Sequence, residues 1–230
     1  MKAILLAAGK GSRLGDLGTT VPKPLIEIDG KPLLAHNVEL CRKYGVSEVF
    51  INTHHLAEKI RLHCGDGTRF GVSITYSYEP ELLGTAGALR NFREQLSDQP
   101  FFVLYADNYS DYSLDLLIKK YQTTETMGVI GFHYREDIES SGVAEFDQSC
   151  RVLKFIEKPK PGETESHWVN AGIYYLSPRI FEFIPSGFSD FGQHIFPKVL
   201  AEKIPLYGVC ENFEVRAFDT PESYDSAVNA

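Results

Sequence analysis

Two prolines near the start set the first limit on what this chain can fold into. It opens with an apolar run, KAILLA at residues 2–7, long enough for one buried strand and too short to cross a membrane. The GKG at residues 9–11 lets the backbone turn tightly and expose N–H groups that can bond phosphate oxygens. A dinucleotide-binding loop would now begin a helix of about a dozen residues. Pro22 and Pro24 forbid that course. Each lacks an N–H and disfavours helix at the residue before it, so residues 21–25 are expected to be extended. The P-loop pattern is absent too, because no glycine is followed by lysine and then serine or threonine. Lys10, Arg13 and Lys23 remain as three cations around a glycine turn, suited to a triphosphate, with Arg13 able to make a bidentate contact.

Downstream, short apolar segments alternate with amphipathic ones, the pattern of an α/β layered fold. Strands are expected at residues 3–7, 49–52, 73–78, 101–106 and 127–134. Helices are expected at residues 32–44, with Pro32 in the first turn, and at 56–63, 85–94 and 113–123. After residue 134 the texture becomes β-rich, with strands at 143–146, 152–156 and 169–176, and reads as a lid on the same sheet. With 230 residues, 43% of them hydrophobic, the chain can bury a full core as one domain. A net charge of −8 leaves no global basic field for nucleic acid or an anionic membrane, so an anion must bind a local cluster. Cys41, Cys64, Cys150 and Cys210 are widely spaced and form no C-x-x-C pair, which reads as reduced thiols in a cytoplasmic protein. The opening residues make a poor cleavable signal, and no hexapeptide repeat points to an appended β-helix.

LAAGKGSRL at residues 6–14 and VPKPL at 21–25 resemble the opening of the sugar-1-phosphate nucleotidyltransferases, L-[AG]-[AG]-G-x-G-x-R-L and then P-K-P. The resemblance implies phosphate-binding roles for Arg13 and Lys23, with the backbone around Leu6, Ala7, Ala8 and Gly9 near the base and ribose and Gly11 also among the nucleotide-binding residues. Further motifs follow in that family's order. EPELLGTAGAL at 79–89, which alone reads as a loop with Thr85 as a helix N-cap, resembles the base-reading loop, with Gly84 and Thr85 close to the base and Glu79 as its reader. A carboxylate offers two acceptors to the adjacent N1–H and N2–H of guanine, whereas uracil presents one N–H between two acceptors, so Glu79 favours GTP; some uridylyl relatives nonetheless keep Glu. FFVLYADN at 101–108 ends an apolar strand in an acid, either a simple strand cap or, as in the family's G-D motif, the Mg²⁺ ligand Asp107, with Ala106 in place of the glycine. SGV at 141–143 resembles a turn whose glycine, here Gly142, lies against the sugar. FIEKP at 155–159, alone a solvated charge pair, resembles the E-K-P motif, in which Glu157 would bond sugar hydroxyls and Lys158 the sugar phosphate. VNAGI at 169–173 would supply Asn170 to the sugar.

The resemblance implies a Rossmann-like three-layer α/β fold with a mixed, mainly parallel central sheet and a β-rich sugar-binding lid. Residues 1–134 would serve the nucleotide and residues 135–230 the sugar phosphate. It implies a Mg²⁺-dependent enzyme in which a sugar 1-phosphate attacks the α-phosphorus of a nucleoside triphosphate in line and pyrophosphate leaves, for polysaccharide or cell-envelope precursors. The substrates indicated are GTP with mannose or a manno-heptose 1-phosphate; a muramyl or glucosyl uridylyltransferase is the alternative. A homodimer is compatible with it. One departure stands out. Many relatives read D-x-G-T-P-E near the end, the Asp being a second metal ligand, and here the segment is Ala217 to Glu222, AFDTPE, with Asp219 two residues on as the candidate substitute. Ala217 also keeps open a nucleotide-sugar binding protein without strong chemistry. A nicotinamide oxidoreductase is the fold-level rival, which Pro22 and Pro24 disfavour. His54 and His55 read as packing or capping groups.

Overall fold

The computed structural model describes residues 1–11 and 16–218. Strand β1 (Lys2–Leu6) leads through helix α1 (Asp16–Thr20) and the short strands β2 (Glu27–Ile28) and β3 (Lys31–Pro32) to helix α2 (Leu33–Lys43). Strand β4 (Glu48–Thr53), helix α3 (Ala57–Cys64) and strand β5 (Ser73–Tyr78) follow. Then come α4 (Gly84–Gly87), α5 (Arg93–Leu96), β6 (Phe101–Tyr105), β7 (Asn108–Ser110), α6 (Leu114–Gln122) and β8 (Gly128–Tyr134). The remainder comprises β9 (Gly142–Phe146), β10 (Val152–Glu157), β11 (Trp168–Leu176), α7 (Phe196–Ala201), β12 (Leu206–Cys210) and β13 (Val215–Ala217).

The chain forms two compact units. The first holds Met1–Leu82, Leu104–Asp111 and the chain from Glu214 onward. In it β1, β4 and β5 are parallel, with Leu6 level with Asn52 and Thr53 level with Tyr78. All of β1 is buried, as an apolar run covered on both faces must be. Helix α2 packs on β1 and α3 on β5. The β2–β3 hairpin turns through Asp29 and Gly30, both at positive φ, the conformation an Asp-Gly turn supplies. Antiparallel pairing of β7 with β13 sets Ala217 opposite Asn108.

The second unit comprises Leu83–Val103 and Tyr112–Phe213. Its sheet is mixed: β8 is antiparallel to β11 and parallel to β12, and β9 lies antiparallel between β10 and β11. Helix α6 covers β8, β11 and β12, and α7 packs on β10. The core between sheet and helix is aromatic, with Phe155, Tyr174, Phe191 and Phe196 in edge, tilted and stacked contacts. Strands and helices together give the α/β class with a mixed sheet.

Three local expectations need correction. Residues 21–25 are not extended throughout: Pro22 is, but Lys23–Leu25 form one 3-10 turn closed by Leu25 N–H to the Pro22 carbonyl at 2.7 Å. Pro24 sits in the first turn, where a missing N–H costs nothing. Pro32 is the residue before α2, extended at ψ 143°, rather than in its first turn. The helix expected at 85–94 is interrupted, since Phe92 leaves the helical region (φ −122°, ψ 20°) where its ring is buried.

Candidate active site

In the first unit the carboxyl ends of the parallel strands deliver the candidate residues to one place. The Leu6 carbonyl accepts the Ala106 N–H at 3.1 Å, which sets Asp107 beside the turn that β1 enters through Ala8, Gly9 and Gly11. Gly11 has φ 62°, the left-handed conformation a glycine turn provides. Lys23 Nζ donates to Asp107 Oδ2 at 2.6 Å. Lys23 is 6% exposed, and the Asp107 side chain 30%. Lys23 is carried by the 3-10 turn, anchored by Ile26 and Ile28 packing on Leu33 and Phe218. Asn37, buried in α2, donates to the Leu33 and Asn108 carbonyls at 2.9 Å each and so ties the Asp107 turn to that helix. Two prolines therefore do not hold the lysine by extension; a short turn on a small apolar cluster does.

Asn52 at the end of β4 joins two of the motifs. Its Oδ1 accepts the Ala7 N–H at 2.9 Å and its Nδ2 donates to Glu79 Oε1 at 2.8 Å. Glu79 is 1% exposed, its N–H bonded to the Thr53 carbonyl and its own carbonyl 2.7 Å from His54 Nδ1. His55 Nε2 lies 2.9 Å from the Gly18 carbonyl oxygen. Both histidines thus bond backbone carbonyls. Asn37 and Asn52 were invisible in the sequence, because an amide in a helix or at a strand end carries no pattern until its partners are known.

In the second unit the residues expected to meet the sugar form a row. Glu157 on β10 pairs with Gly142 on β9, and Val143 pairs with Val169 on β11. Continuing that register by one residue brings Asn170 level with Gly142, so three adjacent strands contribute Glu157, Gly142 and Asn170 in line. Gly142 is there for space: a Cβ on it would lie 2.8 Å from Glu157 Oε2. Burial pushes the Glu157 carboxyl above the usual carboxylate range; Lys158 opposes the shift and Asp190 adds to it. Lys158 itself takes φ 53° and donates its N–H to the Ser141 carbonyl at 3.0 Å. Asn170 donates to the Tyr174 hydroxyl at 2.8 Å and accepts the Gly172 N–H at 3.0 Å.

Gly84 and Thr85 belong to this unit as well. Thr85 does not cap the helix in which it lies, whose N-cap residue is Leu83. Its N–H and hydroxyl both turn to Asp190 Oδ1, at 3.0 and 2.9 Å. Arg13 and Asp219 lie outside the described residues. Among the described residues no cluster of three or more His, Cys, Asp or Glu side chains is placed to hold a metal ion, and no helix is long and apolar enough to cross a membrane.

A glycine turn and a buried lysine on a strand-end aspartate, at the carboxyl ends of parallel strands, mark the place where an α/β protein takes its ligand. The chain belongs to the nucleotidyl transferase family, which it matches over residues 2–215. It is 37% identical over 228 residues to a UTP–glucose-1-phosphate uridylyltransferase of Synechocystis sp., covering 93% of this chain and 59% of that protein. To the mannose-1-phosphate guanylyltransferase catalytic subunit beta of Danio rerio it is 38% identical over 213 residues, covering 91% and 58%. The chain thus spans about three fifths of the length of these relatives. A crystal structure of a putative glucose-1-phosphate thymidylyltransferase from Bacillus anthracis superposes with a TM-score of 0.88 over 99% of this chain and 93% of that one, at 24% identity, and so shares the fold.

Proposed function

We propose that the chain is a single nucleotidyltransferase domain that joins a sugar 1-phosphate to a nucleoside triphosphate and releases pyrophosphate. The observation that carries this reading is the Lys23–Asp107 pair at the strand ends beside the glycine turn. Lys23 and Arg13 neutralise charge on the phosphates, Gly11 offers an N–H to a phosphate oxygen, and Leu6, Ala8 and Gly9 offer backbone to base and ribose. Glu157, Gly142 and Asn170 orient the sugar, and Lys158 meets its phosphate. No covalent nucleophile is required, because positioning and charge neutralisation carry phosphoryl chemistry.

Mg²⁺ fits the donor set, and it would supply neutralisation of phosphate charge. Asp107 would hold it: the carboxylate is part-exposed and bonded to Lys23 through one oxygen, and Mg²⁺ uses few protein carboxylates. Asp219 is the proposed second ligand, which the β7–β13 pairing supports by bringing Ala217 alongside the residue next to Asp107.

For the base and sugar we propose GTP with mannose or a manno-heptose 1-phosphate, on the acceptor pair of Glu79. The guanylyltransferase relative supports it; the uridylyltransferase relative supports the alternative, UTP with a glucosyl or muramyl phosphate. Glu79 is buried against Asn52, so reading a base with it requires the residues around it to give way. The four free thiols support a reducing, cytoplasmic compartment. Pyrophosphate release with Mg²⁺, an NTP and a sugar 1-phosphate tests the reading, and its absence with every pair would refute it; Lys23→Ala is expected to lower release by orders of magnitude with the fold intact, and near-normal release by that variant would refute the role of Lys23.

A further inference from the structure

The segment Ser189, Asp190, Phe191 and Gly192 has no role in the motifs above, yet it touches two of them. On one side it is stapled to the loop that carries Gly84 and Thr85. The Ser189 N–H donates to the Leu83 carbonyl at 2.9 Å, and the Ser189 carbonyl accepts the N–H groups of Ala86 and Gly87 at 2.9 and 3.0 Å. Asp190 Oδ1 takes both donors of Thr85, and the Thr85 hydroxyl in turn accepts the Phe191 N–H at 3.0 Å. The approach is close enough that a Cβ on Gly84, which has φ 77°, would come within 2.5 Å of the Ser189 carbonyl oxygen. On the other side Gly192 makes room for the sugar-directed carboxylate, since a Cβ there would strike Glu157 Oε2. Asp190 is itself fixed, its N–H donating to His194 Nδ1 at 3.0 Å at the start of a π-helical turn, Phe191–Ile195. Irregular turns of this kind persist where a side chain must be aimed.

We propose that Asp190 is a positioning residue that holds the Gly84–Thr85 loop and the Glu157 carboxylate in fixed register, so that one residue governs the binding of both substrates. The inference rests on the nucleotidyltransferase reading. The bonds act through an acceptor oxygen: Asp190→Asn keeps an oxygen for both Thr85 donors, whereas Asp190→Ala removes it and leaves the segment tied to the loop only through the Ser189 backbone bonds and the Phe191 N–H. Losing two hydrogen bonds to a carboxylate is expected to change affinity by about tenfold or more.

The test is steady-state pyrophosphate release by the full chain, with KM measured separately for NTP and sugar 1-phosphate. Asp190→Ala is expected to raise both KM values about tenfold, and Asp190→Asn to restore both to within about threefold of the parent. Thr85→Val, which loses one bond to Asp190 and the acceptor of the Phe191 N–H, should raise both KM values by a smaller factor, and Gly192→Ala only that of the sugar phosphate; a Thr85→Val change confined to one KM counts against the proposal. A change in only one KM in Asp190→Ala overturns the proposal, as does an Asn variant as impaired as the Ala variant. If Asp190→Ala is not recovered folded, Asp190→Ser, which keeps one short acceptor, is read by the same criteria. If the parent releases no pyrophosphate with any substrate pair, the nucleotidyltransferase reading has failed instead. The staple is then tested by amide hydrogen exchange: the Thr85 N–H should be slow in the parent and the Asn variant and fast in the Ala variant, and equal rates in all three overturn it.

Discussion

Lys23 and Asp107 differ in burial, and that difference predicts unequal costs for removing either one. Unit charges 2.6 Å apart attract by about 6 kcal/mol at an effective dielectric of about 20, before desolvation is subtracted. Removing one partner of a fully buried pair costs about 3–5 kcal/mol, mostly for the charge left behind. Asp107→Ala leaves the ammonium of a lysine only 6% exposed without its carboxylate, so about 2–3 kcal/mol is expected. Lys23→Met leaves a carboxylate that water already reaches, and about 1 kcal/mol is expected. For a chain of this size the corresponding falls in Tm are about 6–9 °C and about 3 °C. The double variant strands neither charge and should be no less stable than Asp107→Ala. Thermal melts and urea titrations at pH 7 measure all three. The reasoning is refuted if Lys23→Met proves the more damaging change, or if the two costs simply add.

Other perturbations separate stability from function. Glu79→Gln keeps a carbonyl oxygen for Asn52 Nδ2, so Tm should move little, while any preference for GTP over UTP should fall by about tenfold because a single acceptor no longer matches two adjacent donors. Burial raises the Glu157 carboxyl, so the stability linked to it is fully present at low pH and lost as pH rises through the raised value. Glu157→Gln should therefore be the more stable protein at pH 7, the difference vanishing near pH 4, while its KM for sugar phosphate rises; paired pH melts and kinetics check both. His133, 6% exposed, is lowered by burial to about 4, with Arg135 adding to the effect. Its stabilising neutral form is present above pH 6.5 and the associated stability, at most about 3 kcal/mol, is lost as pH falls from 6.5 to 4. In His133→Phe the acid arm of the stability profile should flatten over that range.

Much of the fold was legible because its signals are local. The run 2–7 had to be a buried strand, the alternation downstream had to be α/β, and β9, β10 and β11 lie within a residue or two of their expected ends. What escaped was set by distant partners. Nothing around Thr85 says that its hydroxyl belongs to a carboxylate 105 residues away rather than to its own helix. Strands β12 and β13 carry no expectation in the sequence and take shape where β8 and β7 give them a pairing edge. Lys23 was recognisable from its motif, but the turn that carries it depends on Ile26, Ile28, Leu33 and Phe218 meeting, which prolines alone do not predict. The row of Glu157, Gly142 and Asn170 shows the opposite case, where motifs far apart in the chain converge because strand register brings them level.

The most direct test is pyrophosphate release measured for four nucleoside triphosphates against a panel of sugar 1-phosphates, in the parent chain and in Lys23→Ala. The expected result is Mg²⁺-dependent release that is greatest with GTP and mannose or a manno-heptose 1-phosphate and is lost in the variant. Greatest release with UTP would favour the uridylyltransferase alternative and leave the reaction class standing. No release with any pair would contradict the nucleotidyltransferase reading itself, and equal release by the variant would contradict the role given to Lys23.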